Sequence, residues 1–210
     1  RPLNEEDITA FIPPGRDTAY RVLKPVLPVL SSKNMNVPFL TAADMLQATD
    51  KRARLWEAAV QYEMHRGALS EEDVLSRMSH IVEVMESSIR EGINGTRWEG
   101  RILGATAPGY RNGMKSEKLL EKGLLDEILL RITALMDVKS SMGVIVAAPT
   151  AGSCGVVPGA VLGSGDYLNL GRKEKVRAML AAGIIGVLIA ERSTFAAEEA
   201  GCQAECGYGS

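Results

Sequence analysis

Apolar residues recur along this chain mostly at the three- and four-residue spacing of helices with one buried face. Leu55, Ala59, Tyr62 and Met64 form one such face. They predict a helix that starts at Thr41 or Asp44, runs through L-W-E-A-A-V-Q-Y-E-M-H-R and stops at Gly67. S-E-E-D from Ser70 has the form of a capping box and opens a second helix, whose core face is Val74, Met78, Ile81, Val82, Met85 and Ile89 and which ends at Gly92. Residues 115–139 carry a broad stripe of Leu119, Leu120, Leu124, Ile128, Leu129, Ile132, Leu135 and Met136. That helix is expected to be buried on more than one side, with Gly123 able to divide it. A short helix is expected over 155–163. The last long helix, 173–191, is apolar on nearly all sides after Arg177 and is expected at the centre of the fold, with Gly183 and Gly186 marking a close helix neighbour.

Between these elements the pattern lapses. Residues 92–113 contain G-I-N-G-T and A-P-G-Y-R-N-G and read as a long loop; so do residues 163–171. Residues 144–148, V-I-V-A-A, have strand character but no partner run, and are expected as an extended buried connector. Residues 1–40 hold six of the nine prolines, leaving room only for short helical turns at 4–11 and 16–23. The expected fold is all-α without a substantial sheet: a proline-rich arm over 1–40 and a helical domain over 41–210.

Composition narrows the function classes. With 24 basic and 26 acidic residues the net charge is −2 and no basic run stands out, which argues against nucleic acid as a partner. The longest apolar run is too short to span a bilayer and no leader-like segment opens the chain, so a soluble, cytoplasmic protein is expected. Three cysteines, Cys154, Cys202 and Cys206, do not make a disulfide framework, and metal or catalytic roles gain weight against simple packing of small buried thiols. His65 and His80 lie in helices among charged neighbours, as surface histidines do. Lys139 raises the thought of a Schiff base, but the chain lacks the histidine and glycine-rich phosphate cradle of a pyridoxal phosphate enzyme, and that cofactor is not expected.

Two segments concentrate the chemistry. Residues 149–155 read P-T-A-G-S-C-G, a turn that feeds an apolar helix, and residues 201–207 read G-C-Q-A-E-C-G. In both, cysteine sits among glycines and small residues that let backbone approach a bulky group. A helix opening near Ser153 to Val156 directs unpaired N–H groups toward an anion or thiolate.

Together, in this order, these motifs resemble the α chain of the iron-sulfur L-serine dehydratases (L-serine ammonia-lyases), over roughly residues 55–210. The resemblance implies a 4Fe-4S cluster held by cysteines with one iron open to substrate, and a lyase that converts L-serine to pyruvate and ammonia. Carried over residue by residue, Cys154 and Cys202 are ligands. Cys206 is either the third or a neighbour of it, the third then lying after Ser210. Thr150, Gly152 and Ser153 are expected to bind the substrate carboxylate, with Thr150 and Ser153 counted as catalytic. The general base is expected from a β subunit or domain, within a homo- or hetero-oligomer. The chain departs from the family in two places: residues 92–96, G-I-N-G-T, are a fragment of a longer glycine-rich motif, and K-S-S-M-G at 139–143 stands where relatives often read N-A-x-M-G. Two alternatives follow, an L-cysteine desulfidase of the same fold and a non-catalytic iron-sulfur or redox module. The start at Arg1 and the end just after the second motif lead us to expect a sequence incomplete at its C-terminus.

Overall fold

A computed structural model describes residue 10 and residues 36–50, 52–97, 102–116 and 123–201. Every regular element among the described residues is helical, in keeping with the all-α expectation. The predicted turns at 4–11 and 16–23 and most of the proline-rich arm lie outside the described residues. Phe39, near the end of that arm, is buried and packs its ring 5.4 Å from that of Tyr62.

The first predicted helix is two, α1 (Ala42–Ala48) and α2 (Leu55–Gly67). Local side chains impose the break. The Thr49 hydroxyl donates to Met45 O (2.7 Å), and Asp50 accepts from the amide of Arg52 (2.9 Å), so short polar groups compete with the helical ladder. α3 (Glu71–Asn94) starts where the capping box predicts: Ser70 Oγ accepts from Asp73 N (3.1 Å) and Asp73 Oδ2 accepts from Ser70 N (3.1 Å).

Within the expected loop at 92–113 the structure contains α4 (Ala107–Lys115). Its amino end is capped from elsewhere in the chain. The buried Asp137 carboxylate accepts from the amides of Thr106 and Ala107, both at 2.8 Å. Two of the orphan donors of a helix start are thus satisfied by a group far away in sequence, while Thr106 makes no side-chain capping bond and Pro108 in the first turn is the local start signal.

α5 (Leu124–Ser140) takes Gly123 as its N-cap. Residues 117–122 lie outside the description. Its expected burial on several sides holds only for its later turns: Leu130, Ala134 and Leu135 are buried, whereas Leu125 is 66 % exposed. α6 (Val156–Tyr167) extends further than expected, because its amino half seats directly on α5 and its end is closed by Leu170 N donating to Gly165 O (2.8 Å) around Asn169 at φ 55°. α7 (Arg172–Ala190) matches its prediction within one residue at each end, and the short α8 (Ala197–Ala200) follows.

α2 and α3 pack on α7, and α5 lies between α3 and α6. Val82, Met85, Leu135 and Leu162 are fully buried at the junction, each worth about 1.5–3 kcal/mol in removal of apolar surface from water. The close contacts are made by other glycines than those singled out in the sequence. A Cβ on Gly92 would stand 2.2 Å from Ala134 O, and one on Gly159 would stand 2.5 Å from Ile132 Cγ1. A Cβ on Gly183 or Gly186 would meet nothing within 4 Å, and Ile185 between them is 46 % exposed. The central position expected for α7 is therefore held by one face of it, Val176, Met179, Leu180 and Ile184, while the other faces outward. No helix of the described residues is long and apolar enough to cross a membrane.

Candidate active site

The P-T-A-G-S-C turn is built between two supports. On one side the extended connector 144–148 is tied to α3, with the Ser88 hydroxyl 2.6 Å from Val144 O, and Val146 and Ala148 pack on the main core. On the other side α6 leads away, with Gly155, Gly159 and Gly163 laid along Ile132 and Ile128 of α5. The peptide bond between Ala148 and Pro149 is cis. The turn is thus held against the last turn of α5.

Within it, Ser153 N donates to Thr150 Oγ1 (3.2 Å), and the two hydroxyl oxygens are 3.1 Å apart. Ala148 N donates to Thr150 O (3.3 Å). The structure therefore brings together Thr150, Gly152, Ser153 and Cys154 as one unit, with Ser153 and Cys154 buried. A short hydroxyl that captures a backbone amide three residues on is the physical reason this sequence turns here.

Burial pushes the Cys154 thiol up from its ordinary pKa, and the charge of Lys139 and a backbone hydrogen bond pull only part of the way back. The Lys139 ammonium, on the last turn of α5, donates to Gly152 O at 3.2 Å. Sequence reasoning weighed Lys139 only as a Schiff-base amine. Its reach across to the turn depends on how α5 meets the connector, and no local pattern announces it. A part-buried hydroxyl pair lies nearby in the chain: Ser141 Oγ donates to Thr96 Oγ1 (2.7 Å), joining the end of α3 to the end of α5. Ser88 was also missed, although a polar residue on the apolar stripe of α3 was a readable signal.

Cys154 is fully buried and its thiol favours the protonated form, so a metal bound there would have to displace that proton. Cys202 and Cys206 lie outside the described residues, so of the three expected ligands only Cys154 has a described setting. Among the described residues no group of three or more His, Cys, Asp or Glu side chains is arranged to hold a metal ion. The histidines stay within their own helices. His65 Nδ1 lies 2.8 Å from Gln61 O, and His80 is exposed beside Glu83 at 3.7 Å. Neither approaches a triad.

Residues 50–210 match the family model described as the serine dehydratase alpha chain. This chain belongs to that family. It is similar to the probable L-serine dehydratase alpha chain of Bacillus subtilis, 30 % identical over 82 % of this chain and 58 % of the relative. The alpha chain of the L-serine dehydratase of Peptoniphilus asaccharolyticus is 27 % identical over 81 % of this chain and 59 % of the relative. The L-serine dehydratase of Streptomyces coelicolor is 31 % identical over 85 % of this chain but only 40 % of its own length. The chain thus spans somewhat more than half the length of the Bacillus subtilis and Peptoniphilus asaccharolyticus alpha chains. Thr150 to Cys154 fall inside the matched region and inside one turn, of which Ser153 and Cys154 are buried.

Proposed function

We propose that this chain supplies the cluster-bearing part of an enzyme that eliminates water from L-serine, giving pyruvate and ammonia. Membership of the serine dehydratase α-chain family, whose relatives are named as L-serine dehydratases, supports the substrate. The observation that carries the reading is the turn itself, where paired hydroxyls, a lysine ammonium and a buried thiol converge on six residues of chain.

L-Serine has a weakly acidic α-hydrogen and a poor hydroxide leaving group, so elimination needs a base at one carbon and an acid at the other oxygen. Cys154, with Cys202 and Cys206, would hold a 4Fe-4S cluster, which supplies Lewis acidity toward the departing hydroxyl when bound. Thr150 and Ser153 orient the substrate by hydrogen bonds to its carboxylate, helped by the backbone at Gly152, an arrangement of the oxyanion-hole type. Loss of the α-proton and of hydroxide leaves aminoacrylate, which tautomerises and hydrolyses to pyruvate and ammonia. The proton acceptor comes from a β chain or domain, as the family resemblance implies; His65 and His80 lie on the surfaces of α2 and α3.

The test is anaerobic purification with iron and sulfide analysis, and visible and paramagnetic spectra recorded before and after L-serine. About four irons per chain and a spectrum perturbed by L-serine, more strongly than by L-cysteine, are expected. A metal-free protein, or a cluster indifferent to L-serine, would overturn the reading.

A further inference from the structure

We infer that Lys139 is a substrate-binding residue, whose ammonium pairs with the α-carboxylate of the amino acid at the turn formed by Thr150, Gly152 and Ser153. The inference rests on the reading of that turn as a carboxylate site and adds to it the positive charge that the hydroxyls lack.

Lys139 is half-buried, and its nitrogen donates to a neutral carbonyl, Gly152 O, at 3.2 Å. An ammonium has three protons and a full charge, so one carbonyl satisfies one donor and leaves the charge uncompensated. Among the described residues no carboxylate lies within ion-pair distance of Lys139. The other half-buried cations that join helices are treated differently. Arg131 is matched by Glu127 (2.5 Å) and Asp166 (2.6 Å), and Lys175 by Asp166 and by Glu86 (3.5 Å). A partly desolvated cation held by a carbonyl without an acid beside it is arranged to receive an anion from outside.

The place of that anion follows from the partners. The nitrogen is fixed against the turn at Gly152, two residues from Thr150 and one from Ser153, whose hydroxyls are 3.1 Å apart. A cation beside a hydroxyl pair, one of whose protons is shared within the pair, suits a carboxylate, which accepts from the ammonium and from the turn. The zwitterion of an α-amino acid offers that group on the carbon next to the one that loses its leaving group. Lys139 would therefore bind and orient without entering the chemistry, and its charge would separate the acid from neutral analogues.

The decisive experiment measures the affinity of the anaerobically purified full protein for L-serine and for L-serinamide by calorimetry, with iron content as an independent readout. The expected result is that Lys139→Met weakens L-serine binding about 10- to 100-fold. It leaves L-serinamide binding and iron content unchanged, and Lys139→Arg recovers most of the loss. Equal weakening of both ligands, or loss of iron in Lys139→Met, would overturn the inference by making Lys139 a support of the turn or a counter-charge to the thiolates. An unchanged L-serine affinity in Lys139→Met, with Ser153→Ala still weakening it, would sink the role of Lys139 alone. Absence of L-serine binding by the unaltered protein would overturn the carboxylate site and this inference together.

Discussion

Ser153 shows how a single residue does two tasks with different atoms. Its amide donates to Thr150 Oγ1 at 3.2 Å and closes the turn, while its own hydroxyl lies 3.1 Å from the same oxygen and belongs to the proposed carboxylate site. Ser153→Ala keeps the amide and so keeps the turn. We expect its Michaelis constant for L-serine to rise about 10-fold with little change in turnover number, the pattern of lost binding to a group that does not react. A turnover number that falls with an unchanged Michaelis constant would place Ser153 in the chemistry instead. Asp137 works by the same economy of position: buried, it caps α4 by accepting from two amides, and it lies two residues before Lys139 on the helix that carries the charge to the site.

Helices here are positioned by glycines that act only where a neighbour is close. The contrast between Gly159 and Gly183 isolates that effect, because both lie in helices and both cost helical propensity relative to alanine. At Gly159 a Cβ would stand 2.5 Å from Ile132 Cγ1 and 3.0 Å from Ile132 N, and the backbone atom cannot rotate away. Gly159→Ala should lower the unfolding free energy by about 1–3 kcal/mol through overpacking of α5 against α6. At Gly183 no atom lies within 4 Å, so Gly183→Ala should raise it by about 0.5–1 kcal/mol. Urea denaturation of the two variants measures both signs, and a stabilising Gly159→Ala would show that α6 does not rest on α5 as described.

Across the whole molecule, one chain of charges joins four helices. Glu127 and Arg131 on α5, Asp166 on α6, Lys175 and Arg172 on α7 and Glu86 on α3 are linked in succession, with Arg172 3.0 Å from Glu86 at the far end. Burial alone would raise the Asp166 carboxyl, but hydrogen bonds from Lys175 and Arg131 outweigh it and hold the group below its ordinary pKa. In the unfolded chain an aspartate titrates at about 3.9. A folded value below that means that Asp166 contributes stability above the unfolded pKa, and that this contribution is lost as the pH falls through the folded one. The side chain is 40 % exposed, so solvent screens the effect and salt weakens it. Thermal midpoints recorded on acidification should fall less steeply in Asp166→Asn than in the unaltered chain, and identical acid limbs would remove Asp166 from the account.

How much could be read before any packing was known follows from where each cause lies along the chain. The start and the core face of α3 were legible because Ser70, Asp73 and the Val74 to Ile89 stripe act within a few residues of one another. The P-T-A-G-S-C turn was legible as chemistry because its small residues, hydroxyls and thiol are contiguous, and the family follows from the same contiguity. The break between α1 and α2 was also local, carried by Thr49 and Asp50, and was overlooked in favour of the apolar spacing on either side. Other features were not in any window of sequence. α4 starts where a carboxylate from α5 satisfies its first amides, so its cap is 30 residues away in sequence. Which glycines are needed depended on where a second helix came to lie, and Gly183 and Gly159 look alike until Ile132 is beside one of them. Lys139 meets Gly152 only because α5 ends against the connector that returns to the turn. Periodicity records that a helix has a face to bury, and tertiary packing alone decides what that face meets.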